Sequence, residues 1–151
     1  MTTWIFQGNP DRFDMDGYLA CGSGRIVWMV NQYRRKIRPG DQVFLWRARG
    51  SGAYGPAGIL AECIVESPVT EIPDDPSSVR FWRGQGRIAP RPRVWLKMVK
   101  ILGRGAILRR DVIAGTRGLE AVGPIRFGNA TNFELSDDES RELNRIWHNL
   151  T

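Results

Sequence analysis

The sequence is poor in the residues that carry most protein chemistry. It has one histidine, His148, and two cysteines, Cys21 and Cys63, in 151 residues. Two cysteines so far apart build no disulfide framework, and no close Cys/His pairing offers a zinc knuckle. No apolar run approaches the ~20 residues of a membrane-crossing helix. The opening MTTWIFQGNPDRFD lacks the basic-then-apolar layout of a secretory signal. These absences lead us to expect a cytoplasmic protein with no membrane attachment, metal or other cofactor. Acidic residues are also scarce in one place. Residues 80–118 hold 11 Lys/Arg against Asp111 alone, while the stretches on either side are slightly acidic.

What is present is an ordinary globular composition, 42% hydrophobic and 25% charged. A chain of this length buries roughly 68–70% of its unfolded surface, enough for a core without staples. We therefore expect one domain over residues 1–151. Thr3–Gln7, Arg25–Val30, Gln42–Arg47, Gly58–Glu66 and Val94–Ile101 read as strands from their β-branched and aromatic content. Arg12–Leu19 reads as a short helix, and Ile107–Ile113 as one or two helical turns. Asn31 is placed to cap a helix running from Gln32 to Ile37. Ser136-Asp137-Asp138-Glu139 is a capping box, followed by Leu143, Ile146, Trp147 and Leu150 at helical spacing. Gly22-Ser23-Gly24 reads as a turn and residues 49–56 as a glycine-rich hairpin loop. Pro68 to Pro92, with five prolines, reads as one long loop of the kind that is usually functional or mobile. The pattern predicts an α+β domain built on a small curved sheet or barrel, with short flanking helices and a C-terminal helix.

Catalytic readings find little to stand on. GSGAYGPAG at 50–58 has no Lys-Ser/Thr after it and leads into a strand, so it is neither a P-loop nor a dinucleotide fingerprint. His148 lies three residues from the end and reads as an exposed tail residue. The acidic clusters fit turns and helix N-termini, and the spacing of Asp11, Asp14 and Asp16 does not match a calcium loop. No catalytic residue and no metal ligand is assigned.

Nucleic acid suits the sequence better. Nine of the 11 basic residues in 80–118 are arginines, whose planar fork matches phosphate geometry. Phe81, Trp82 and Trp95 lie among them, and aromatic faces stack on bases. Arg80, Arg83, Arg87, Arg91 and Arg93 are the candidate phosphate contacts. Of six tryptophans, Trp4, Trp46 and Trp147 fit core positions. Trp28, at a strand end, fits core packing and ligand stacking equally well. Trp82, close to Arg80 and Arg83 in the long loop, fits a ligand or lid role.

WIFQGNPDRFD at 4–14, WMVNQY at 28–33, IRPGDQVFLWRA at 37–48, AGILAE at 57–62 and TNFELSDDE at 131–139 resemble the EVE domain family in order and spacing. The resemblance implies a PUA-like fold, related to YTH and ASCH domains. It also implies a non-catalytic reader of a flipped or unpaired modified base, of the 5-methylcytosine type, in DNA rather than RNA. The setting it implies is modification-dependent restriction or similar defence, with any effector a separate protein and the chain itself a monomer. Carried over residue by residue, it assigns Gln7, Gly8 and Asn9 to the polar edge of the base pocket. Trp28 becomes the first cage aromatic, Asn31 and Gln32 the polar pair after it, and Trp82 the second cage aromatic. If Trp82 is not the second wall, Tyr54 and Phe133 are the alternatives. Two departures from the family pattern are Cys63, where glycine is common, and the longer glycine-rich loop at 49–56. Two rival readings stay open: a PUA-type RNA-binding module acting in RNA modification or translation, and an ASCH-like small hydrolase. The hydrolase would need a lysine and a carboxylate facing one pocket.

Overall fold

Strand β1 (Thr3–Gly8) sends Trp4 and Phe6 into one hydrophobic cluster and Ile5 into another, because successive strand residues point to opposite faces. The same split runs through β3 (Gln42–Arg47), where Val43 and Leu45 join the first cluster and Phe44 and Trp46 the second. A strand covered on both faces needs a continuous apolar run rather than alternation, and Val43-Phe44-Leu45-Trp46 supplies one. The computed structural model describes residues 1–21, 24–84, 89–103 and 105–150. Of the turn expected at Gly22-Ser23-Gly24, the first two residues lie outside that set, as does Arg87.

The described strands form an eight-stranded mixed sheet. Its main path runs β2 (Arg25–Met29), β6 (Arg91–Ile101), β4 (Gly58–Val65), β3, β1, β8 (Asn132–Glu134). The short strands β5 (Thr70–Ile72) and β7 (Leu108–Arg109) pair with β6 and β4. Only β1 and β3 run parallel among these pairs, with Trp4 opposite Val43 and Gly8 opposite Arg47. Register shifts between Leu45 and Trp46 and between Glu62 and Cys63 curl the sheet, as bulges do. The first cluster fills the inside of the curl with α1 (Met15–Ala20), and includes Met15, Tyr18 and Leu19. The second lies beneath α2 (Arg110–Ala114), α3 (Gly123–Arg126) and α4 (Asp137–His148), and contains Trp147.

Helix α4 opens on the expected capping box: Ser136 accepts from the Glu139 N–H and Glu139 accepts from the Ser136 N–H. Trp4, Trp46 and Trp147 are fully buried, as their positions predict. Three expectations need correction. The helix at Gln32–Ile37 is absent: Tyr33 sits at φ 59°, the left-handed region in which a helix cannot continue. The side chain of Asn31 bonds to Thr131 instead of capping. The stretch 68–92 is not one loop, since β5 and a 3-10 helix at Pro76–Phe81 structure it and β6 begins at Arg91. Two further elements, α3 and β8, were invisible because each is only three or four residues long.

Candidate functional site

The end of β1 and the end of β2 approach the segment before β8, and side-chain amides join them. Gln32 Oε1 accepts from the N–H groups of Thr131 and Asn132, both at 3.0 Å. Asn132 Oδ1 accepts in return from the N–H groups of Asn31 (2.8 Å) and Gln32 (3.2 Å). Asn31 Nδ2 donates to Thr131 Oγ1 at 2.8 Å. From β1, Gln7 Nε2 donates to the carbonyls of Gly128 and Ala130. These bonds fix three chain segments around one opening.

A second set of contacts brings in the aromatic groups. Asp75 caps the 3-10 helix through Ser77 N–H and accepts from Tyr18 Oη at 2.9 Å; Tyr18 Oη accepts from Val27 N–H. Burial, and next to it the Asp75 carboxylate, push the Tyr18 phenol well above its ordinary range, so it stays neutral and keeps donating. Phe81 at the end of this helix packs on Tyr18 and on Gly17, where a Cβ would lie 2.9 Å from its ring. Trp82 is thereby delivered opposite Phe13 in an isolated β-bridge, with Nε1 donating to the buried Asp74 at 3.0 Å. Phe13 touches both tryptophans: its ring centroid is 4.6 Å from Trp82 and 6.4 Å from Trp28, edge-on to the latter.

These elements enclose a cavity of about 490 Å³, within the roughly 300–1,000 Å³ usual for small-ligand sites. Gln7, Gly8, Asn9, Trp28, Asn31 and Trp82 all line it. Trp28 is 7% exposed, so it is at once a core residue and a wall of the cavity. Gln32 does not line the cavity and acts behind it as the clasp on Thr131 and Asn132. Sequence reasoning missed Phe13, Arg12 and Thr131, which also line the wall; each sits inside a stretch that carried the family resemblance, which was the available signal. Phe133 belongs to the other cluster, packed against Gly123, and is no wall of this cavity. Tyr54 stacks under Arg83, 4.0 Å from its guanidinium.

The basic residues separate into two kinds. Arg83 lines the cavity, bonds to the Pro10 carbonyl and lies 3.7 Å from Asp14. Arg80 and Arg91 are exposed. Arg93 corrects the expectation of a phosphate contact: it is 1% exposed and its Nη1 donates to the carbonyls of Ile72 and Ala89. Burial lowers its pKa from the ordinary value while Asp74 acts in the other direction. Among the described residues the cavity wall has neither a lysine nor a carboxylate, and no group of His, Cys, Asp and Glu side chains is arranged to hold a metal. No described helix is long and apolar enough to cross a membrane.

Known structures share this architecture. A hypothetical protein from Leishmania major matches with TM-score 0.69 at 17% identity, covering 99% of this chain and 96% of that one. A Pseudomonas putida protein matches with TM-score 0.65 at 17% identity, covering 95% and 98%. Human THYN1, solved in complex with 5-methylcytosine containing DNA, matches with TM-score 0.61 at 13% identity, covering 97% of each chain. No curated protein sequence matches. The curled mixed sheet with short helices and a C-terminal helix is a PUA-like fold. The EVE domain family model matches residues 2–144, and with nearly the whole chain inside that match, this protein belongs to the EVE domain family.

Proposed function

We propose that this protein is a non-catalytic reader of a flipped or unpaired modified base, of the 5-methylcytosine type, in DNA. The observation that carries the reading is the composition of the 490 Å³ cavity. Its wall combines Trp28, Phe13 and Trp82 with the amides of Gln7 and Asn31 and with two arginines. Aromatic rings grip a base by stacking, roughly 1–3 kcal/mol per base. Amides donate and accept, so they read a hydrogen-bonding edge. A methyl group adds about 0.8 kcal/mol of apolar burial. Among the described residues, this wall lacks the lysine and carboxylate that an ASCH-like hydrolase would place in one pocket. Human THYN1, of the same fold, was solved with 5-methylcytosine containing DNA, and this supports the choice of base and sugar. A defence role with a separate effector protein fits a chain that reads without cutting.

The experiment is a fluorescence titration with single strands and duplexes of both sugars, each with and without the 5-methyl group. Methylated DNA should bind tightest. Trp28→Ala and Trp82→Ala should each weaken that binding by ~1–3 kcal/mol, and non-additively, since one base needs both contacts. Equal binding of methylated and plain strands would overturn the reading.

A further inference from the structure

On the other side of Gln7 lies a second cavity of about 540 Å³. Gln7 lines both cavities. Its Nε2 donates to the Gly128 and Ala130 carbonyls, so Gln7 and residues 128–131 form the partition. Gly128 lies on the second cavity and Thr131 on the first. What distinguishes the second cavity is charge. Arg49, Arg109 and Arg110 line it against one carboxylate, Asp111. All three arginines are exposed, and none has an ion pair or side-chain hydrogen bond among the described residues. Arg47, at the end of β3, is different: Asp16 and the Pro56 carbonyl hold its guanidinium.

Three guanidinium groups gathered around one concavity repel one another unless an anion neutralises them. Their forked donors match phosphate oxygens. A cavity of this size, divided from the base cavity by one side chain and one short segment, matches a chain of linked phosphates. We infer that the second cavity holds the phosphodiester backbone of the nucleotides adjoining the read base, so that the strand crosses Gln7 as it leaves the first cavity. The inference rests on the base-reading function proposed above. It adds Arg49, Arg109 and Arg110 to that function as phosphate contacts beside those expected of Arg80, Arg83 and Arg91.

The test compares two probes. One is a methylated single-stranded DNA nonamer. The other is free 5-methyl-2′-deoxycytidine, which has the base and no phosphate. The variant is Arg109→Gln with Arg110→Gln. The control is Arg141→Gln with Arg145→Gln, which removes the same charge from α4, where these arginines pair with Asp138 and Glu142. All four arginines are exposed, and melting curves check that each variant folds. The Arg109/Arg110 variant should bind the nonamer roughly tenfold or more weakly, with its salt slope reduced by about 0.7 per lost phosphate contact. Binding of the nucleoside should be unchanged, and the α4 control should bind both probes as the parent does. A parent-like affinity and slope for the nonamer overturns the inference, and so does a loss no larger than the control's. These outcomes leave the base-reading function standing, because that function fails by a different result: no preference for the methylated over the plain nonamer in the parent protein.

Discussion

Gln32 and Asn132 clasp each other's backbone, each side-chain oxygen accepting two N–H groups of the other's segment. Asn132 is buried and Gln32 half-buried, and all four bonds are part-buried. Gln32→Ala should orphan two of the N–H groups at about 1–3 kcal/mol each. Gln32→Glu keeps an acceptor in place and should recover most of the loss. Urea unfolding of the three proteins checks this. Because the clasp positions Asn31 and Thr131 on the cavity wall, Gln32→Ala should also weaken ligand binding at temperatures where it remains folded.

Gly8 tests how tightly the wall is built. A Cβ there would lie 3.1 Å from Met15 Sδ and 3.2 Å from Trp28 Cζ2. Gly8→Ala should press on the Trp28 ring, costing about 1–3 kcal/mol as overpacking. The loss of affinity for a methylated strand should exceed what the change in melting temperature accounts for. Normal binding would mean that Trp28 can shift without consequence, and hence that its exact position is not used.

Much of this was legible in the sequence for a physical reason. β1 and β3 carry continuous apolar runs, Trp4–Phe6 and Val43–Trp46, buried on both faces, and such runs announce themselves. The capping box of α4 is a local signal with a local cause. Phe13 was not legible, because its role depends on the bridge to Trp82, a contact between positions 69 residues apart in sequence. The helix expected after Asn31 failed for a similar reason: Asn31 and Gln32 are held by Thr131 and Asn132, and that remote contact outweighs a local cap. Arg93 was misjudged because counting charge along the chain does not reveal which strand residue faces inward.

Arg93 and its exposed neighbours should therefore separate experimentally. Arg93→Ala should strip the Ile72 and Ala89 carbonyls of their donor and destabilise the fold by a few kcal/mol, on the order of 1–3 per lost partner. It should leave the salt dependence of DNA binding unchanged. Arg80→Ala with Arg91→Ala should do the reverse, with a normal melting temperature and a salt slope flatter by about 0.7 per contacted phosphate on single strands. If Arg93→Ala alone flattens the slope in a stable protein, the assignment of Arg93 to the scaffold is wrong.

The final expectation concerns alkaline stability and the two thiols. Cys63 is fully buried beside Met98, with its Sγ 3.5 Å from Met98 Sδ, whereas Cys21 is exposed. Burial first, and the neighbouring Glu62 charge second, push the Cys63 thiol far above its ordinary value. In the folded state it stays protonated where the unfolded chain, with an ordinary thiol near about 8.5, ionises. The unfolded state then binds fewer protons, so stability falls as pH rises. The contribution is fully present below about pH 8.5 and declines above it by at most about 1.4 kcal/mol per pH unit. Tyr18, also raised by burial, adds a second decline from about pH 10. Cys63→Ala should remove the first decline and leave the second, so that urea midpoints stay level to near pH 10 before falling. Alkylation of the folded protein at pH 8 should label Cys21 alone, with Cys63 reacting only on unfolding. Labelling of both thiols at equal rates would show that the inner cluster opens in the native state, and the predicted pH dependence would then disappear with it.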